Sequence, residues 1–243
     1  MTMQQNLANI HKEYTFSSES DLLNYLRLQD MTFPTRTQKN RKYCIEKWGI
    51  CRLLATWAKN NYLTYPLKLI HRDRPDFLLS FSQRKNGIEF SEAISQNEAG
   101  IDALAEQMGK GVRLFSDLFN RGTPRFNASK KKEIILNQPS PGPGYGDDGI
   151  EREWALNVVD SIHDKTKDFK KSEFQKFDIN WLFIYSNLHV FPREIKRAMK
   201  YLLPDLENYW STKNRYDALC IETINQLVEI HEGNWEVQPI VNL

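Results

Sequence analysis

Apolar residues recur along this chain at two spacings. After Ser18-Glu19-Ser20-Asp21, residues Leu22, Leu23, Leu26 and Leu28 follow a helical rhythm. A Ser or Asp ahead of such a run is a helix start, and Pro34 closes the segment. A longer helix is expected over residues 37–61, where Glu46, Ile50, Leu53, Leu54 and Trp57 fall at i, i+4, i+7, i+8 and i+11. Helical spacing returns over 100–120, over 149–171 (Trp154, Val158, Ile162, Lys165, Phe169) and over 193–203, which Pro204 should stop. Short apolar runs predict strands at 67–70, 77–81, 88–90, 134–136, 180–185, 216–222, 227–231 and 235–240. The uninterrupted aromatic run at 180–185 reads as a strand buried on both faces. Asn86-Gly87 marks residues 82–87 as a hairpin loop. The Pro- and Gly-rich stretch 139–146 reads as a loop, a flap over a site. Residues 1–19 are polar and predict no element.

Two polar residues break the helical stripes. Glu46 lies on the apolar face of the first long helix, where a carboxylate needs a partner. It is either a side chain reaching out at the stripe's edge or a group serving a site. Lys165 stands where a hydrophobe belongs on the second, and either snorkels or reaches an acid.

The 243 residues suffice for one domain with a full core, and 40% apolar with 26% charged residues is ordinary for a soluble protein. The net charge of +2 does not by itself indicate nucleic acid, so clustering must carry any such reading. Cys44, Cys51 and Cys220 are odd in number and form no C-x-x-C pair, which favours neither disulfides nor zinc and fits a cytoplasmic setting. No apolar run nears the ~20 residues of a membrane span, and residues 1–12 lack the apolar centre of a signal peptide.

Candidate chemistry concentrates in residues 74–93, RPDFLLSFSQRKNGIEFSEA. Asp76 opens one predicted strand and Glu89 lies inside the next. Like charges on adjacent strands repel unless a cation lies between them, and oxygen ligands of this kind suit Mg²⁺. Ser91 shares the strand face of Glu89, whereas Glu92 points to the other unless the strand ends there. Arg72 and Arg74 flank the acids, and Arg125, Lys130, Lys131 and Lys132 belong to the one basic cluster, at 121–132. These are either phosphate contacts or solvated surface charge. His71 reads as an exposed strand end; His163, His189 and His231 fall in no ligand-like spacing.

With Pro75-Asp76 on one strand and Gly87-Ile88-Glu89-Phe90-Ser91-Glu92 on the next, followed by helix, strand and helix, the chain resembles the PD-(D/E)XK, or restriction-endonuclease-like, nuclease superfamily. The resemblance implies an α/β fold: a mixed central sheet flanked by helices over 37–243, with 94–150 inserted between the third core strand and the second core helix, and 1–36 as a helical appendage. It implies Asp76 and Glu89 as Mg²⁺ ligands, with Mn²⁺ as a substitute and Glu46 assisting from the first helix. The lysine that the superfamily carries two residues after the strand acid is here Ser91. Lys165 is the candidate to supply it from the following helix, and Glu92 a lesser one for the base. The implied activity is Mg²⁺-dependent hydrolysis of phosphodiester bonds in DNA, during restriction, repair or defence against mobile elements. Dimerisation is a habit of this fold when both strands are cut. The Ser91 departure leaves open a module that binds nucleic acid or protein without cutting.

Overall fold

The computed structural model describes residues 13–111, 117–138 and 145–242. Among them lie eight strands and six α-helices. The elements run β1 (Glu13–Phe16), α1 (Glu19–Arg27), α2 (Arg41–Lys59), β2 (Leu67–His71), β3 (Phe77–Phe81), β4 (Arg84–Ala93), α3 (Gln96–Gln107), a 3₁₀ turn (Asp117–Phe119), α4 (Ala128–Asn137), α5 (Gly149–Phe169), β5 (Ile179–Ser186), α6 (Ile195–Ser211), β6 (Ala218–Glu222), β7 (Gln226–His231) and β8 (Asn234–Pro239).

All eight strands form one sheet in chain order. The β4–β5 and β5–β6 pairs are parallel and the rest antiparallel. This is a mixed sheet between two helical layers. On one face α1 and α2 bury Leu22, Leu26, Leu53 and Leu54 against Leu67, Leu79, Ile88 and Phe183. On the other, α5 and α6 bury Trp154, Val158, Ile162 and Leu202 against Leu182, Ile184 and Leu219. The parity of β4 separates the layers: Ile88 and Phe90 belong to the first core, Ala93 to the second. Gly49 lets α2 sit close to the sheet, because a Cβ there would collide with the rings of Phe90 and Phe183. None of the helices among the described residues is long and apolar enough to cross a membrane.

The structure corrects four sequence expectations. The hairpin turn falls at Ser82-Gln83, with φ of 48° and 64°, not at Asn86-Gly87. Asn86 is instead buried inside β4, and Gly87 is pressed by Pro75 and Phe177, which leave no room for a Cβ. Glycine serves close approach there rather than turning.

Residues 134–136 belong to α4, not to a strand. Asn127 caps that helix by accepting from the Lys130 amide at 2.8 Å, and Ile134 and Ile135 bury against Ile101, Ala105 and Phe119 in a separate small core. Pro204 lies inside α6 instead of ending it. The carbonyl it leaves unpaired belongs to Lys200, on the exposed face, while Leu206 and Tyr209 continue the buried stripe beyond it. Residues 13–16, expected to carry no element, form the edge strand β1 beside β2. Of the helix expected over 100–120, α3 ends at Gln107, and residues 112–116 lie outside the described residues. So does most of the expected flap, residues 139–144.

Candidate active site

The β3–β4 ladder ends at the pair Phe77 and Ile88, and Asp76 precedes the one as Glu89 follows the other, which brings both acids to the same end of the hairpin. Both carboxylates are buried. Asp76 is fixed by the Phe90 amide, which donates to its Oδ2 at 2.7 Å. Lys165 reaches across from α5, its Nζ 2.7 Å from Glu89 Oε1. The other Glu89 oxygen, Oε2, is buried and has no hydrogen-bond partner among the described residues.

Glu46 arrives from α2 on the other side. Its Oε1 lies 3.2 Å from Lys42 Nζ, and its Oε2 3.5 Å from His71 Nε2. Lys42 also stands 3.8 Å from Asp76 Oδ1. Three carboxylates from α2, β4 and the start of β3 thus share one region with two ammonium groups.

Electrostatics reflect that crowding. Burial, then the Glu46 and Glu89 charges, push the Asp76 carboxyl up to about 7, against the pull of the Phe90 amide and Lys165. Burial pulls Lys42 down, but Glu46 and Asp76 outweigh it and raise the ammonium above its ordinary value.

Other expected residues scatter. Ser91 lines the groove beside Lys165. Glu92 is taken up elsewhere: its Oε1 accepts from Asn187 at 2.7 Å, Arg41 at 3.1 Å and Arg36 at 3.4 Å. A carboxylate held by two guanidinium groups is an organiser of cations, which corrects its candidacy as a base. Arg72 bonds Gln175 and covers the Phe177 ring, and Arg74 pairs with Glu173 at 3.2 Å. Arg125 stands on the wall of a cleft of about 490 Å³ between the inserted segment and α5. Lys130 pairs with Glu133 at 2.9 Å, and Lys131 and Lys132 lie on the same helix, α4.

The sequence reading missed Lys42 and misplaced His71. His71 is not an exposed strand end; its ring packs between Tyr43 and Phe77 and its side chain is only 13% exposed. The i, i+4 spacing of Lys42 to Glu46 was the available signal for the first. Nothing local marks the second, which depends on β2 meeting α2.

Among the described residues, no group of three or more His, Cys, Asp or Glu side chains is arranged to hold a metal ion. The expected third ligand, Glu46, is engaged by Lys42 and His71. Asp76 and Glu89 remain as two carboxylates, the kind and number of donor that Mg²⁺ takes beside water and phosphate. The unpartnered Glu89 Oε2 is the donor atom that speaks for such a fit.

Compared with models of protein families, with curated proteins and with solved structures, the chain matches none of them.

Proposed function

We propose that this protein is a Mg²⁺-dependent nuclease of the restriction-endonuclease-like type that hydrolyses phosphodiester bonds in DNA. One observation carries the reading. Lys165 projects from α5 to within 2.7 Å of Glu89, although Ser91 occupies the place in β4 where the PD-(D/E)XK pattern has its lysine. The relocated cation restores the set of two acids and one ammonium. The mixed sheet, with its acids on an antiparallel hairpin beside the parallel strands, supports the same architecture.

Asp76 and Glu89 would hold the ion. Bound Mg²⁺, or Mn²⁺, supplies charge neutralisation for phosphate and acidifies water. The protein's own groups do the rest. The Phe90 amide fixes the Asp76 carboxylate in place before substrate arrives. Lys165 keeps its proton at Nζ and turns it toward a phosphate oxygen as negative charge grows there. The Ser91 hydroxyl, beside Lys165, orients the attacking water.

The decisive test is cleavage of supercoiled plasmid and of single-stranded circular DNA with Mg²⁺ or Mn²⁺. Wild type should cut, and Asp76→Ala and Glu89→Ala should not. Equal behaviour of all three proteins sinks the enzyme. A second reading, a nucleic-acid-binding module without catalysis, is favoured by the Lys165–Glu89 pair itself, since that ion pair occupies a carboxylate the metal needs. In that case affinity for DNA survives both alanine changes and no cutting is seen.

A further inference from the structure

The groove beside Ser91 and Lys165 opens on the α2 side, with a volume of about 400 Å³. Five cationic side chains line it, Arg36, Lys39, Arg41, Lys42 and Lys165, against two carboxylates, Glu46 and Glu92. Glu92 is shared by Arg36 and Arg41, Asp102 also meets Arg36, Lys42 stands on Glu46 and Asp76, and Lys165 stands on Glu89, so Lys39 is the cation a phosphate meets first. The cleft on the insertion side has no such excess: Arg121, Arg125 and Lys165 there face Glu92, Asp160, Asp164 and Asp168.

The cations of the α2 groove sit where helix physics disfavours them. Arg41 and Lys42 occupy the first turn of α2, that turn holds no acid, and Asn40 makes no side-chain cap. Positive charge at the positive end of a helix dipole costs stability, and an anion placed there recovers it. Lys39 is exposed and has no ion-pair partner among the described residues.

An aromatic recess adjoins this groove and shares Arg36 and Arg41 with it. Its volume is about 390 Å³. Phe33 and Tyr185 lie 29° from parallel with centroids 6.4 Å apart, and Trp48 braces both edge-on at 4.9 and 4.8 Å. Phe33 is 40% exposed although its ring packs on Trp48 and Tyr185. Cations tracking a backbone beside an exposed ring are the two parts of a single-strand site. A duplex keeps its bases stacked on each other and offers none to Phe33.

We infer that the groove over the α2 N-terminus binds single-stranded DNA, with phosphates against Lys39, Arg41 and Lys42 and an unstacked base against Phe33. The inference rests on the nuclease reading for its place beside the acids, and it assigns that nuclease a single-stranded or frayed substrate.

Fluorescence anisotropy of a labelled 12-nucleotide strand, and of the same sequence as blunt duplex, tests it in metal-free buffer, where nothing is cut. Wild type should bind the single strand more tightly than the duplex. Phe33→Ala should weaken single-strand binding on the order of tenfold, the usual loss of one stacking partner, and leave duplex binding unchanged. Phe33→Leu should lose as much and Phe33→Trp should retain binding, which separates stacking from packing. Lys39→Gln should lower the slope of log affinity against log salt by about 0.7, one phosphate contact on a single strand. Equal affinity for strand and duplex, or wild-type binding by both Phe33→Ala and Lys39→Gln, overturns the proposal. If this binding pattern holds and neither DNA form is cut with Mg²⁺, the nuclease reading falls and the single-strand site stands. If DNA is cut and the two variants bind like wild type, the single-strand site falls alone.

Discussion

Two buried carboxylates in this protein titrate alike and live differently. Asp76, beside Glu89, and Glu229, on β7, are both raised to about 7, and burial is the largest cause at each. Glu229 is held by neutral donors, with the Glu236 charge adding a smaller upward push. Its Oε1 accepts from Trp57 Nε1 at 2.5 Å and from Gln238 Nε2 at 3.0 Å, and Asn60 holds Gln238 in turn at 2.7 Å. Its network is closed by neutral donors from α2 and β8. At Asp76 the next causes are two other carboxylates, Glu46 and Glu89, and the compensating charges come from lysines beside a groove. A shifted titration alone therefore does not distinguish a site from a strut. The partners do: lysines beside a groove at Asp76 and Glu89, neutral donors from the interior at Glu229.

The largest effect that can break this comparison is on cleavage. Asp76→Asn should lower the rate by at least about 100-fold, as loss of a charged group that acts in the transition state does. Glu229→Gln should leave the rate within about twofold, since it keeps the acceptor for Trp57 and lies away from the groove. A Glu229→Gln variant as inactive as Asp76→Asn would mean the two acids are not different in kind.

Next in size is Lys165→Met. It leaves Glu89 buried with no cation on Oε1, and breaking such a pair by removing one partner costs about 3 kcal/mol. Chemical denaturation at pH 8 should show that loss, and the double variant Lys165→Met/Glu89→Gln should recover most of it. An additive double variant would mean the 2.7 Å contact carries no energy.

Much of this was legible beforehand, for a physical reason. A polar residue on an apolar stripe is a local contradiction, and both lead to the site: Glu46 shares Lys42 with Asp76, and Lys165 pairs with Glu89. The central strand β5 and the Asp76–Glu89 hairpin were also visible as apolar runs bounded by polar residues. What escaped depends on chain neighbours far apart in sequence. His71 is drawn in by Glu46 and Tyr43 across the β2–α2 contact, and the α4 isoleucines find their helical partners only because α3 lies alongside. The turn at Ser82-Gln83 carries no glycine to announce its positive φ. Pro204 would end an isolated helix, yet packing of Leu206 and Tyr209 outweighs one lost backbone bond.

A smaller effect concerns pH. Glu229 in the folded protein sits at about 7, above its ordinary 4.5, so between those values the folded state holds a proton that the unfolded chain has released. Its contribution to stability is full below about pH 4.5 and is lost as pH rises through 7. Glu229→Gln cannot titrate and should be about 2 kcal/mol more stable than wild type at pH 8, with no advantage at pH 4.5. Urea melts at the two values check this. An equal gain at both would assign the change to packing instead of charge. Asp76→Asn should follow the same sign, stabilising at pH 8 while abolishing cleavage, as expected where function holds like charges together.

The smallest effect sharpens the difference between strut and site. Gln238→Met removes one donor from the charged Glu229 and should cost about 1 kcal/mol more at pH 8 than at pH 4.5, because a hydrogen bond to a charged group is worth more than one to a neutral acid. Lys42→Met should cost no more than about 0.5 kcal/mol. Its side chain is 76% exposed, and such cations are screened by water and salt. It meets Glu46 and Asp76 at 3.2 and 3.8 Å, loosely enough to swing aside. A closed network such as that of Glu229 has no replaceable member, whereas a site that admits an ion must be able to release the charge standing in its place. Denaturation of Lys42→Met in 50 mM and 500 mM salt, about a threefold change in screening length, decides between the two. A loss near 2 kcal/mol that persists at the higher salt would make Lys42 a fixed partner of Glu46 and Asp76 and favour binding without cleavage.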